Sequence, residues 1–151
     1  MFIAHLPAGY LLARLSNASK LFMIGILIGS VVPDLDILWF YFVDGGTIHH
    51  HEYLTHRPIF WTVLLFIVGF FRLPLLQGVA VGGLVHLLLD SIAGRIAWAW
   101  PLSSKTVTLV EVPATQSHWI LSFLTHWTFL VEIAITLCAI AVFVYSRRSK
   151  P

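Results

Sequence analysis

Cysteine is almost absent from this chain. Cys138 is the single thiol, which excludes an intramolecular disulfide and any thiolate zinc cluster. Charge is also scarce: 11% of residues are Asp, Glu, Lys or Arg, against 58% hydrophobic. A mean hydropathy of +0.88 is far too high for an ordinary water-soluble domain. Basic residues are scattered, with no patch interleaved with aromatics, which argues against nucleic acid as a partner. The opening residues, Met1 to Pro7, carry neither the basic start nor the small-residue cleavage site of a signal peptide. The apolar N-terminus is therefore expected to be retained.

What the chain has instead is long apolar runs. Residues 121–145 are interrupted mainly by Thr, Ser, His126 and Glu132, and about 20 apolar residues suffice to cross the hydrocarbon core. The expected fold is all-α, a multi-pass membrane helix bundle of about four or five apolar helices. It forms one integral-membrane domain over residues 1–151. The segments are 2–15, 21–43, 58–71, 75–92 and 119–145. Gly25 and Gly29 permit close helix approach, Pro33 is expected to kink or break its helix, and Pro58 suits a helix start. Asp44-Gly45-Gly46-Thr47 is a turn signal. Residues 103–118 are more polar, and the β-branched stretch 106–112 predicts a short strand or β-hairpin insert. Phe and Trp are abundant and fit lipid contact and interfacial belts. The positive-inside rule puts the basic tail, residues 146–151 with Arg147, Arg148 and Lys150, in the cytoplasm. Arg72, Arg14 and Lys20 then fall on the same side, and Arg57, Arg95 and Lys105 outside.

Against this apolar background stand three acid and imidazole clusters. A carboxylate at the bilayer centre costs roughly 2.5–3.5 kcal/mol on insertion scales, so each demands compensation. His86 and Asp90, four apart on one helix, share a face. They can chelate one metal ion or simply bond between helices. Asp34 and Asp36 follow Pro33 and can converge, or Asp34 can cap a helix with Asp36 solvated. Between apolar residues 24–32 and 37–43, solvation is the weaker reading. His51 and His56 flank Glu52 to Thr55, and a loop entering a helix can turn both inward. His49 and His50 read as plain loop residues, and His118 and His126 as interfacial or packing residues. His5 on its apolar segment is either a satisfied core residue or a ligand. Glu132, within a span, needs a partner; Arg95, Arg57 and His126 are candidates.

Together the clusters say more than each alone. Imidazole plus carboxylate without thiolate suits Zn²⁺, with Mn²⁺ or Fe²⁺ as options. The candidate ligands His5, Asp34, Asp36, His56, His86 and Asp90 outnumber the donors of a four-coordinate structural site. That surplus favours two ions, or one ion with an open catalytic position. Hydrolysis of a phosphoester is the natural reaction class for such a centre.

These clusters, in this order, resemble the YdjM-like family of bacterial inner-membrane proteins, some of them LexA-regulated, read as metal-dependent hydrolases. The family's early His corresponds to His5, with Gly9 nearby. Its Pro-Asp-x-Asp is Pro33-Asp34-Leu35-Asp36, and its His-Arg-Gly-x-Thr-His-Ser lies over His51 to Arg57. Its His-x-x-x-Asp on a glycine-bearing helix is His86 to Asp90 after Gly82-Gly83, and a Trp-Pro follows at Trp100-Pro101. The chain departs at Glu52, Tyr53 and Arg57, where the family has Arg, Gly and Ser. The likeness covers roughly residues 1–110.

The resemblance implies a membrane-embedded metal-dependent hydrolase with a His/Asp centre and names no substrate; the charge bias sets that centre toward the outer leaflet, and its chemistry suits a phosphoester or lipid-type substrate. Glu52 or His51 would move protons, and Arg57 or Arg95 would hold a substrate anion, Arg57 in place of the family's Arg unless the substrate differs. The rival expectation is a metal-binding or ion-transporting membrane protein without hydrolase activity, since intramembrane His and Asp also mark ion pathways. A structural subunit whose polar residues merely join helices explains single pairs but not the aggregate.

Overall fold

The computed structural model describes residues 3–148. Among them the regular structure is helical, in seven α-helices: α1 (His5–Leu15), α2 (Lys20–Gly29), α3 (Asp36–Phe42), α4 (Pro58–Phe70), α5 (Pro74–Ala93), α6 (Trp119–Leu124) and α7 (Thr128–Arg148), with a long non-helical stretch over residues 94–118. Three short 3₁₀ turns, Val32–Leu35, His50–Glu52 and Leu54–His56, carry most of the remaining chemistry. Phe2 of the first expected segment and Ser149, Lys150 and Pro151 of the expected tail lie outside the described residues.

The number of spans is lower than the four or five expected. Among the described residues, α5 and α7 alone are long and apolar enough to cross a membrane, with a third span if α2 and Val32–Phe42 count as one broken helix. The reasons are local. α1 has 11 residues and α4 has 13, so at 1.5 Å per residue both fall well short of a hydrocarbon core of about 30 Å. The 21–43 run bends by 43° where Pro33 supplies no N–H to continue the helix. The 119–145 run breaks at 125–127. There the His126 ring receives the main-chain N–H of Thr128 at 3.4 Å and lies 2.9 Å from its hydroxyl. Such side-chain bonds compete with the helical ladder and start α7 afresh.

The expected hairpin at 103–118 is not formed. Its β-branched residues make one isolated antiparallel bridge, Ile96 with Val107. The following amides turn instead to the end of α5, with Leu109 donating to the Ser91 carbonyl at 2.8 Å and Val110 to Ile92 at 2.9 Å. Those carbonyls belong to the last helical turn and have no partner within the helix. The segment is therefore spent on capping α5.

The centre of the bundle is α2 packed along α5. Gly25 lies against Leu75 and Gly78, Gly29 against Val79, and Gly82 against Ile26 and Ser30. Contact partners rise in number together, so the two helices run parallel. α1 and α7 are also parallel: Glu132 meets Ile3 and Ala4, while Tyr10 meets Phe143, ring centroids 6.0 Å apart. All four helices thus point their chemistry-bearing ends the same way. The opposite end collects Arg14 beside Tyr145 and Ser146, together with Lys20, which opens α2, and Arg147 and Arg148 in the last turn of α7. Trp61, Leu87 and Ile96 form the buried apolar core beneath the site, whereas Leu130, Leu137 and Ile140 leave one face of α7 bare.

Candidate metal centre

Five elements deliver side chains to one place. α1 begins with His5, the Val32–Leu35 turn brings Asp34, α3 opens with Asp36, the Leu54–His56 turn ends in His56, and α5 brings His86 and Asp90 one turn apart. His5, His56, His86 and Asp90 are all buried to 3% exposure or less. The Asp34 side chain remains 32% exposed and forms the accessible wall.

The distances describe a tight constellation. His86 Nε2 lies 3.0 Å from Asp90 Oδ2 and 3.4 Å from Asp34 Oδ1. His56 Nε2 lies 3.5 Å from Asp90 Oδ2 and 3.9 Å from Asp34 Oδ1. His5 stands between the same acids, 3.3 Å from Asp34 Oδ2 and 3.1 Å from Asp90 Oδ1, with its ring stacked 3.7 Å from His86. One atom each from Asp34, His56, His86 and Asp90 lies within 4.8 Å of the others. Donors about 2 Å from a shared ion lie no more than about 4 Å apart, and the four imidazole–carboxylate distances of His86 and His56 to Asp34 and Asp90, 3.0 to 3.9 Å, meet that limit.

The far side of each ring decides what the near side offers. His86 Nδ1 is 2.9 Å from the Ser30 carbonyl oxygen. A carbonyl only accepts, so Nδ1 carries the proton and Nε2 of the neutral ring presents a lone pair. His56 Nδ1 lies 2.6 Å from Asp36 Oδ2, and the same reasoning bares its Nε2. Both Nε2 atoms are buried without a hydrogen bond, and both face carboxylate oxygens. Lone pairs facing carboxylates repel unless a cation lies between them, and outer carboxylates or carbonyls fixing a histidine tautomer are what metal-ligating imidazoles have. The donor set therefore fits a divalent ion. A proton meets the same demand less fully: burial pulls the His56 imidazole down, but Asp36 and Asp90 outweigh it and raise its pKa above the ordinary value.

The surroundings hold this geometry. Thr55 Oγ1 donates to Asp36 Oδ2 at 2.5 Å, and Trp61 Nε1 donates to the Thr55 carbonyl at 2.7 Å. Gly9 has room for nothing larger, because a Cβ there would come 2.5 Å from Ser30 Oγ. The histidine loop is tied by Asp44, which accepts from Thr47 Oγ1, from Ile48 N at 2.8 Å and from Tyr53 Oη at 2.8 Å. Gly45 and Gly46 turn the chain there with φ of +62° and +79°, a region glycine adopts without steric cost.

Asp36 thus sits behind His56, in the position of an orienting carboxylate. Changing Asp36 to Asn should weaken metal affinity about 10–100-fold while leaving the helical content unchanged. Equilibrium titration of detergent-solubilised protein, followed by circular dichroism, checks both halves of that expectation.

The other sequence candidates are placed as follows. His51 Nε2 is 3.7 Å from Asp90 Oδ2, and burial pushes its imidazole down to about 2 despite the carboxylate. Glu52 is exposed, and its main-chain carbonyl accepts from Arg57 Nη2 at 2.8 Å. The Arg57 guanidinium also lies over the Trp100 ring, 5.6 Å from its centroid. His118 and His126 are in neither group with Asp34 nor with Asp36; both stand at helix starts. His50, read from the sequence as a loop residue, has its Nδ1 3.7 Å from Asp36 Oδ1. Consecutive histidines in a polar loop gave no periodicity by which to single it out.

Glu132 takes partners that no inventory of side chains suggests. Its carboxylate accepts from the main-chain N–H of Ile3 at 2.5 Å and of Ala4 at 3.1 Å. α1 has no side-chain cap of its own, so Glu132 supplies one from α7 and thereby fixes His5, the next residue. The expected partners are engaged elsewhere, Arg95 with Glu111 at 3.1 Å and His126 with Thr128.

A family model described as YdjM inner membrane protein matches residues 2–149. No curated protein and no solved structure matches the chain.

Proposed function

The chain belongs to the YdjM inner membrane protein family, and on that premise we propose that it is a membrane-embedded metal-dependent hydrolase of phosphoester or lipid-type substrates. Asp34, His56, His86 and Asp90 would hold the ion, with His5 bridging the two acids and Asp36 orienting His56. The single observation that carries this reading is the pair of buried imidazole Nε2 atoms turned toward two carboxylates, each ring fixed from behind by an acceptor. A divalent ion bound there supplies Lewis acidity and a water acidic enough to attack near neutral pH.

The chain's own residues do the rest. Asp34, the exposed member, leaves the centre open on one side. Leu35 and Leu38 beside it are 56% and 55% exposed, so an approaching substrate would meet an apolar rim, which suits an ester carried on a lipid. Arg57 is our candidate for holding the substrate anion, since a guanidinium matches phosphate geometry. His51 and Glu52 are the candidates for moving protons. Zn²⁺ is the first choice of ion for this imidazole and carboxylate set, with Mn²⁺ and Fe²⁺ as alternatives.

The membrane arrangement follows from the same helices. Arg14, Lys20, Arg147 and Arg148 share the end opposite the site. By the positive-inside rule that end, with the C-terminus, is cytoplasmic, and the centre opens toward the outer leaflet.

Purified protein in nanodiscs tests the proposal with a chromogenic phosphodiester and with phospholipid. The expected result is hydrolysis that a chelator abolishes, added metal restores and Asp90→Asn removes. Metal-dependent ion flux in liposomes, with no hydrolysis of either substrate class, would overturn it.

A further inference from the structure

Beside the first group lies a second, built from Asp36, His50 and His56. The Asp36 side chain is 7% exposed. Its Oδ2 is taken by His56 and Thr55, but Oδ1 is buried with no hydrogen bond. Facing it at 3.7 Å is His50 Nδ1, also buried and also without a hydrogen bond. That separation is too long for a hydrogen bond and suits two donors sharing one ion. A buried polar atom without a partner carries the full cost of its lost hydration, so a carboxylate oxygen and an imidazole nitrogen turned to each other in this way call for an occupant.

We propose that Asp36 Oδ1 and His50 Nδ1 hold a second divalent cation, making the centre dinuclear. This rests on the first group being a metal site, and it deepens that reading by assigning His50. Asp36 bridges the two halves: one oxygen orients His56 toward the first ion and the other binds the second. The His50 side chain is 21% exposed, so water completes the coordination of an ion that this chain alone does not enclose. The set of one carboxylate, one imidazole and water suits Mn²⁺, Fe²⁺ or Zn²⁺.

The test is metal stoichiometry of the full chain in detergent after dialysis against Mn²⁺, with paramagnetic resonance on the same samples. Two ions per chain and a spin-coupled signal are expected for the wild type. His50→Ala should fall to one ion with an uncoupled signal, at unchanged helical content. One ion and an uncoupled signal in both proteins would overturn the second site and leave the first standing. No ion in the wild type would overturn both. If His50→Ala proves unfolded, the wild-type count and signal still decide.

Discussion

Asp34→Ala and Asp90→Ala are each expected to empty the centre. Each removes a carboxylate from the only group among the described residues that combines two acids with two imidazoles. Asp90 carries the larger effect, because it approaches His5, His56 and His86 at 3.1, 3.5 and 3.0 Å. Its loss leaves three buried rings with one acid between them. Elemental analysis of purified protein should show the ion between Asp34, His56, His86 and Asp90 lost in both variants, with the weaker residual affinity in Asp90→Ala. His118→Ala is the control: it lies at the start of α6, where its ring accepts from Ile120 N at 3.3 Å, and should keep the wild-type metal content. Equal loss in all three would mean that metal responds to general destabilisation rather than to ligation.

The second large effect is expected at the α2–α5 seam. A Cβ at Gly78 would fall on the Phe22 carbonyl oxygen, and one at Gly25 on that of Leu75. Backbone atoms cannot swing aside as a side-chain tip can, so the helices must separate. Gly78→Val should therefore cost more than about 3 kcal/mol, the upper end of ordinary overpacking. Metal should be lost with it, because His86 and Asp90 ride on α5 while Ser30, which fixes the His86 tautomer, follows α2. Gly69→Ala is the matched comparison. There the nearest atom is Gln77 Nε2 at 3.8 Å, and the better helix propensity of alanine should leave stability unchanged or raise it by up to about 1 kcal/mol. Thermal unfolding in detergent, read by circular dichroism, separates the two. Similar melting temperatures for both variants would contradict the close-packed seam.

Much of the candidate site was legible before any coordinates. Ionised groups in an apolar chain are costly, so Asp34, Asp36, His86 and Asp90 announced themselves by position alone, and Pro58 marked the start of α4. The break at Pro33 was equally visible, because a missing N–H acts locally. The number of spans was harder to read. Hydropathy sees residues 119–145 as continuous, whereas Thr and His side chains at 125–128 bond the backbone and divide it. The stretch 106–112 has strand composition, yet its amides are consumed by α5 carbonyls that become available only in the folded chain. The role of His50 and the partners of Glu132 were not legible, for a related reason. Their partners are Asp36, on another element, and the main chain of α1, over a hundred residues away in sequence. Periodicity records which residues share a face of one helix; it is silent about which helix ends meet.

The account stands most directly on whether the folded chain carries an ion between Asp34, His56, His86 and Asp90. X-ray absorption at the metal edge, on wild-type protein purified in detergent and dialysed against trace Zn²⁺, measures that. The account predicts at least one tightly held ion per chain, with imidazole scattering and oxygen neighbours near 2 Å. Well-folded protein that remains metal-free after dialysis against Zn²⁺, Mn²⁺ and Fe²⁺ in turn would contradict it.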